Sequence, residues 1–245
     1  MFDLLKERPS EQRVVLAAER FSSKGLEKLL QSDAARRYVC GIKIEPQTLF
    51  HGELHAFETI RDLCDKHGLF KIADVQLSGG NKAVRAAYVK EVKDHQPDII
   101  TIGFGMGRPV YEHLKDATPT NCPVPKILVT GVLPEVDPLG FEEQFRRPPS
   151  KYTNWLGVAS YKHADGVYGA ARYARNRNWD HFGQVYMGAG ISLDGENYVE
   201  GETEKVALTA SEAREWKCGM VVVGHAIASH NDHIQALEQI GEGIA

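Results

Sequence analysis

Short apolar runs rich in β-branched residues alternate with longer stretches whose apolar residues recur at helical spacing. That alternation predicts βαβ units around a parallel sheet. Eight runs read as strands: residues 13–18 (RVVLAA), 39–44 (VCGIKI), 69–75 (LFKIADV), 99–104 (IITIGF), 126–132 (KILVTGV), 166–170 (GVYGA), 184–188 (QVYMG) and 220–224 (MVVVG). Their starts lie roughly 20–40 residues apart, room for one crossover helix each, and eight parallel strands close into a (β/α)8 TIM barrel. An open, doubly wound sheet is the competing arrangement.

Between these runs, residues 25–30 (GLEKLL), 56–66 (AFETIRDLCDK) and 83–92 (AVRAAYVKEV) set apolar positions at helical spacing beside charged ones, as helices packed outside a sheet do. Residues 134–154 carry several prolines and no periodicity, so they read as a long loop after the fifth strand. Residues 192–205 are polar and acidic, a loop long enough to act as a lid. They lead into Thr209-Ala-Ser-Glu-Ala, a helix start with a capping residue. No internal repeat interrupts this order, and residues 1–245 read as one domain.

Composition narrows the function. The chain has 245 residues, 42% hydrophobic and 25% charged, enough to bury a core. Its 29 Lys and Arg against 33 Asp and Glu give a net charge of −4, which provides no field for a polyanion and argues against nucleic acid as a partner. The four cysteines, Cys40, Cys64, Cys122 and Cys218, form no C-x-x-C pair and read as buried thiols of a reducing compartment. The charged N-terminus does not match a signal peptide, and no apolar run is long enough to span a bilayer, so the expectation is a cytoplasmic protein without membrane association.

In a barrel the chemistry gathers at the C-terminal ends of the strands. Glu19 follows the first strand, Lys43 and Glu45 close the second, Lys71 and Asp74 lie on the third, and Asp165 precedes the sixth. Alternation puts positions 69, 71, 73 and 75 on one face, with Asp74 turning inward at the strand's end. A buried ammonium in an apolar run is costly unless a carboxylate answers it. Two lysines on neighbouring strands therefore point to a mixed network of the kind that stabilises developing negative charge. A structural ion pair is the plainer alternative for Lys71.

Here the chain resembles a family. Lys71-Ile-Ala-Asp74-Val75, followed by Ser78, is similar to the K-x-x-D-[IV]-x-x-[TS] signature of the orotidine 5′-phosphate decarboxylase superfamily. Leu16-Ala-Ala-Glu19 resembles the first-strand segment, Lys43 falls at the second-strand lysine, and Asp165-Gly-Val resembles the start of the sixth strand. Gly188-Ala-Gly190-Ile191, Thr209-Ala-Ser-Glu-Ala and Val221-Val-Val-Gly224-His-Ala-Ile227 follow the family's order in the last quarter.

The resemblance implies a cofactor-independent carboxy-lyase of pyrimidine biosynthesis that acts on a nucleoside monophosphate, in a homodimer with shared active sites. It implies Lys71 as proton donor, Lys43 as its partner, Asp74 as a carboxylate reaching across the dimer interface, and Ser78 near the ribose. Glu19 is expected to contact substrate. Gly188, Gly190, Ile191, Gly224 and His225 are expected to line the phosphate site, where barrels use backbone N–H groups.

The chain also departs from the pattern. Leu69 stands at the first aspartate of D-x-K-x-x-D, His225 at the phosphate-clamping arginine, Ala189 at a proline, and Gly103 and Leu133-Pro134-Glu135 at other ligand positions. These departures leave two alternatives: a related lyase acting on another nucleotide or sugar phosphate, and a catalytically silent nucleotide-binding relative. No metal is expected, since His225, His230 and His233 do not have zinc-ligand spacing.

Overall fold

Eight parallel strands hydrogen-bond in sequence order and the last returns to the first, closing a barrel. The computed structural model describes residues 3–45, 54–77, 96–103, 116, 125–130, 165–171, 185–195 and 207–245. In chain order the described elements begin with α1 (Asp3–Lys6), β1 (Val14–Ala17), α2 (Ser23–Leu30), α3 (Asp33–Tyr38) and β2 (Val39–Ile44). They continue with α4 (Leu54–His67), β3 (Phe70–Leu77), β4 (Ile99–Gly103), β5 (Lys126–Thr130), β6 (Gly166–Ala170) and β7 (Val185–Ala189). The chain ends with α5 (Ala210–Glu215), β8 (Met220–Val223), α6 (His225–Ala228) and α7 (His233–Ile244).

Closure rules out the open-sheet alternative: β1 pairs with β2 through Ala17 and Lys43, and with β8 through Leu16 and Val223. The predicted strands agree with the observed ones to within a few residues at either end. The helix expected at 83–92 and the loop expected at 134–154 lie outside the described residues, as does most of the proposed lid.

Two apolar layers hold the barrel together. Val15 and Ala17 of β1, Phe70 and Ile72 of β3, Ile99 of β4, Leu128 of β5, Tyr168 of β6, Met187 of β7 and Met220 and Val222 of β8 fill the interior. Leu16, Ile42, Ile44, Ala73, Ile100, Ile102 and Val223 face the helices instead, against Leu26, Leu29 and Leu30 of α2 and Leu237, Ile240 and Ile244 of α7. Each such side chain removed from water contributes about 1.5–3 kcal/mol, which is why both strand faces are apolar in this sequence. Leu5 of α1 packs into the interior layer, and the Arg8 guanidinium stacks 4.0 Å above the Phe70 ring. Phe70 begins β3, so this plug closes the N-terminal end of the barrel and leaves the chemistry to the other.

Local signals start the helices. Ser22 and Ser32 accept from the backbone N–H of Gly25 and Ala35, capping α2 and α3. Thr209 and Glu212 form a reciprocal capping box at α5, as the Thr209-Ala-Ser-Glu pattern predicts. Asp232 accepts from Ile234 and Gln235 to start α7. Cys40, Cys64 and Cys218 are buried free thiols, with burial pushing each up to about 12. They are inert at neutral pH. No helix among the described residues is long and apolar enough to cross a membrane.

Candidate active site

Above the apolar interior, strands β1 to β4 end in a polar cluster. Lys43, the fifth residue of β2, points inward because Ile42 and Ile44 on either side face the helices. Its side chain is 2% exposed, and its Nζ donates to Asp74 Oδ2 at 2.7 Å and to Glu45 Oε1 at 2.6 Å. Asp74 belongs to β3 and is fully buried, and its second oxygen accepts from Thr101 Oγ1 of β4 at 2.6 Å. The Tyr168 ring of β6 lies 5.8 Å from Nζ, within cation–π reach.

One ammonium therefore sits between two carboxylates over a greasy floor. Burial works against its charge, but Tyr168, Asp74, Glu19 and Glu45 outweigh that, and Lys43 is held protonated far above neutral pH. An ammonium fixed in this way is an acid and an electrostatic anchor. It is a poor nucleophile, because attack needs the free amine.

Glu19 completes the cluster from the short helical turn after β1. Burial pushes its carboxyl up to about 6, against the pull of Lys43 and with the help of Glu45. Its Oε2 is buried and accepts from no donor among the described residues, and a side-chain hydrogen bond to Glu45 favours the protonated form.

Lys71 takes a different place from the one expected. The inward positions of β3 are Phe70, Ile72 and Asp74, so Lys71 points to the helix layer, where its Nζ meets Asp65 of α4 at 2.8 Å. The inward face predicted for positions 69, 71, 73 and 75 is the outer one: Leu69 and Ala73 pack with Ile60, Leu63 and Cys64. The physical reason is that an outward Lys71, 15% exposed, reaches a carboxylate at the solvent edge, whereas an inward one would put a second ammonium into the closed interior. The structure thus separates the two lysines, and Leu69 has no place in the mouth.

Asp74, expected to reach across a dimer interface, binds Lys43 and Thr101 of its own barrel. Ser78, the other residue expected there, lies outside the described residues. Asp165, just before β6, pairs with Lys126 at the start of β5 at 3.3 Å, and so marks the opposite end of the barrel from the site.

The expected phosphate residues divide. Gly190, at φ +77°, and Gly224, before α6, shape the turns after β7 and β8. A Cβ on Gly224 would come within 2.7 Å of Arg20 Cγ and 3.0 Å of Ala17 Cβ, so only glycine lets this turn lie against the segment that carries Glu19. Gly188 is a packing position on β7, against Cys218 and Ala171, and Ile191 is core, bridged to Leu208. His225 is exposed at the start of α6, the His230 ring meets the backbone of Asp232, and His233 packs edge-on against Phe21.

Thr101 and Tyr168 were missed in the sequence, although a threonine within IITIG and a tyrosine within GVYGA, each at an inward position, were the available signals.

No family model matches the sequence, and no curated protein does. Solved structures do. Orotidine 5′-phosphate decarboxylase from Lactobacillus acidophilus aligns with a TM-score of 0.63 at 19% identity, over 95% of this chain and 98% of that one. The enzyme from Pyrococcus horikoshii gives 0.63 at 18% identity, over 94% and 98%. Orotidine 5′-monophosphate decarboxylase from Methanocaldococcus jannaschii, solved with the inhibitor BMP, gives 0.65 at 15% identity, over 95% and 98%. At such identities the likeness is one of fold: this chain has the barrel of those decarboxylases.

Proposed function

We propose that the chain is a cofactor-independent carboxy-lyase acting on a nucleoside monophosphate, with Lys43 rather than Lys71 as the proton donor. The observation that carries this reading is the Lys43 ammonium, buried at the strand ends and fixed by Asp74 and Glu45. Loss of CO2 from a ring carbon leaves an electron pair there. A preplaced ammonium in a water-poor site stabilises that charge without reorganising. One Lys43 N–H then becomes the new C–H bond, and the neutral amine recovers its proton from solvent. Asp74, held by Thr101, keeps the ammonium aimed, and the turns carrying Gly190 and Gly224–His225 receive the phosphate.

A second reading has a specific observation behind it. Because Lys71 and Leu69 both lie outside the interior, a single lysine serves the described mouth, and the substrate could be another phosphorylated anion cleaved by a related lyase reaction. A Schiff-base route fits less well, since Lys43 is held protonated. Following the absorbance of orotidine 5′-monophosphate tests the first reading, and turnover that disappears in Lys43→Ala supports it. Borohydride trapping with sugar phosphates tests the imine route, and an adduct on Lys43 would displace the first reading.

A further inference from the structure

The reaction above leaves Lys43 as a neutral amine, which must be recharged before a second turnover. The surroundings of Nζ restrict how that happens. The Lys43 side chain is 2% exposed and that of Asp74, its partner on β3, is 0% exposed, so both are shut away from water. Glu45 differs: it is the first residue after β2, at the rim of the barrel, and 28% of its side chain is exposed while its Oε1 stays 2.6 Å from Nζ. This carboxylate therefore touches both the amine and the solvent. At 2.6 Å the two groups already stand at proton-transfer distance. Asp74 is committed elsewhere, to Lys43 Nζ at 2.7 Å and Thr101 Oγ1 at 2.6 Å. Glu19 sets a second carboxyl beside Glu45, hydrogen-bonded to it and pushed up by burial to about 6, within reach of neutral pH.

Resting on the reading of Lys43 as the proton donor, we infer that Glu45 reloads it, taking a proton from water at the rim of the barrel and handing it to the Nζ of the neutral amine. The step balances. Lys43 has given one N–H to the new C–H bond, and its nitrogen carries a lone pair. Glu45 gains a proton from solvent, passes it to that lone pair, and is left as the carboxylate paired with an ammonium, as at the start. Asp74 aims Lys43 and Glu45 recharges it. That division accounts for two acids on one ammonium with such different exposure, 0% against 28%.

Burst kinetics separate this role from a structural one. With orotidine 5′-monophosphate, the first turnover draws on the proton Lys43 already holds, and later turnovers wait for its return. Glu45→Gln keeps an acceptor oxygen for Nζ but has no titratable proton. Its first turnover slows by no more than about threefold, while its steady-state turnover falls at least about a hundredfold. In Glu45→Ala, added acetate restores the steady-state rate in proportion to its concentration. Equal losses in both phases, or no rescue by acetate, overturn the inference and leave the proposed function standing. A second readout needs no substrate. In protein labelled with 15N-lysine, the Nζ resonance that disappears in Lys43→Met exchanges its protons with water at least about tenfold more slowly in Glu45→Gln than in the parent. Unchanged exchange overturns the inference. If the parent turns nothing over, the proposed function falls, and exchange at Nζ still decides whether Glu45 is its route to solvent.

Discussion

Lys43 Nζ and Asp74 Oδ2 lie 2.7 Å apart across β2 and β3, with side chains 2% and 0% exposed. A pair so enclosed adds little net stability when intact, but breaking it strands a charge. Lys43→Met therefore lowers unfolding free energy by about 3–5 kcal/mol, read from urea denaturation. The double variant Lys43→Met/Asp74→Asn recovers a large part of that loss, because the uncompensated anion is gone. Thr101→Val removes the donor to Asp74 Oδ1 and costs about 1–3 kcal/mol, while Thr101→Ser costs less.

Gly224 and Gly241 separate site geometry from stability. In Gly224→Ala the new Cβ presses on Arg20 and Ala17, displacing the turn that presents Glu19, so nucleotide affinity falls at least about tenfold with a modest change in stability. In Gly241→Ala the Cβ collides with the Tyr38 ring between α7 and α3, far from the mouth. Stability drops by about 1–3 kcal/mol and ligand affinity per folded molecule is unchanged. Thermal melts paired with titration of uridine 5′-monophosphate distinguish the two.

Glu19 sets a pH dependence of defined sign. Its carboxyl titrates near 4.5 when exposed and near 6 in the fold, so between those values the folded protein holds the extra proton. Stability therefore declines as pH rises through that window, by about 2 kcal/mol in all, and the full penalty persists above it. Glu19→Gln abolishes this decline and is more stable than the parent at pH 7. Urea midpoints measured from pH 4 to 8 check both statements.

Lys71 behaves as a peripheral residue. Its partner Asp65 is 57% exposed, and ion pairs of that kind contribute about 0–1 kcal/mol. Lys71→Ala changes stability by no more than about 1 kcal/mol in chemical denaturation, against several for Lys43→Met.

The barrel was legible because parallel strands buried on both faces appear as apolar runs, and residues 39–44 and 166–170 coincide with β2 and β6. The same property hid the facing of β3. In LFKIADV every residue but Lys71 and Asp74 is apolar, so alternation could not say which set points inward, and a one-residue change of face exchanges the two. Lys43 escaped that ambiguity because it is the single charged residue in VCGIKI, and the isoleucines on either side of it pack in the helix layer. The Asp74–Thr101 and Lys43–Tyr168 contacts join residues 27 and 125 positions apart, and no local pattern announces pairings of that range.

The most direct measurement is steady-state turnover of orotidine 5′-monophosphate by the parent, Lys43→Ala and Lys71→Ala proteins, each shown to be folded by circular dichroism. The account predicts turnover in the parent, a loss of at least about a thousandfold in Lys43→Ala, and a change of no more than about threefold in Lys71→Ala. Turnover that survives in Lys43→Ala and vanishes in Lys71→Ala, or no turnover in the parent, would contradict it.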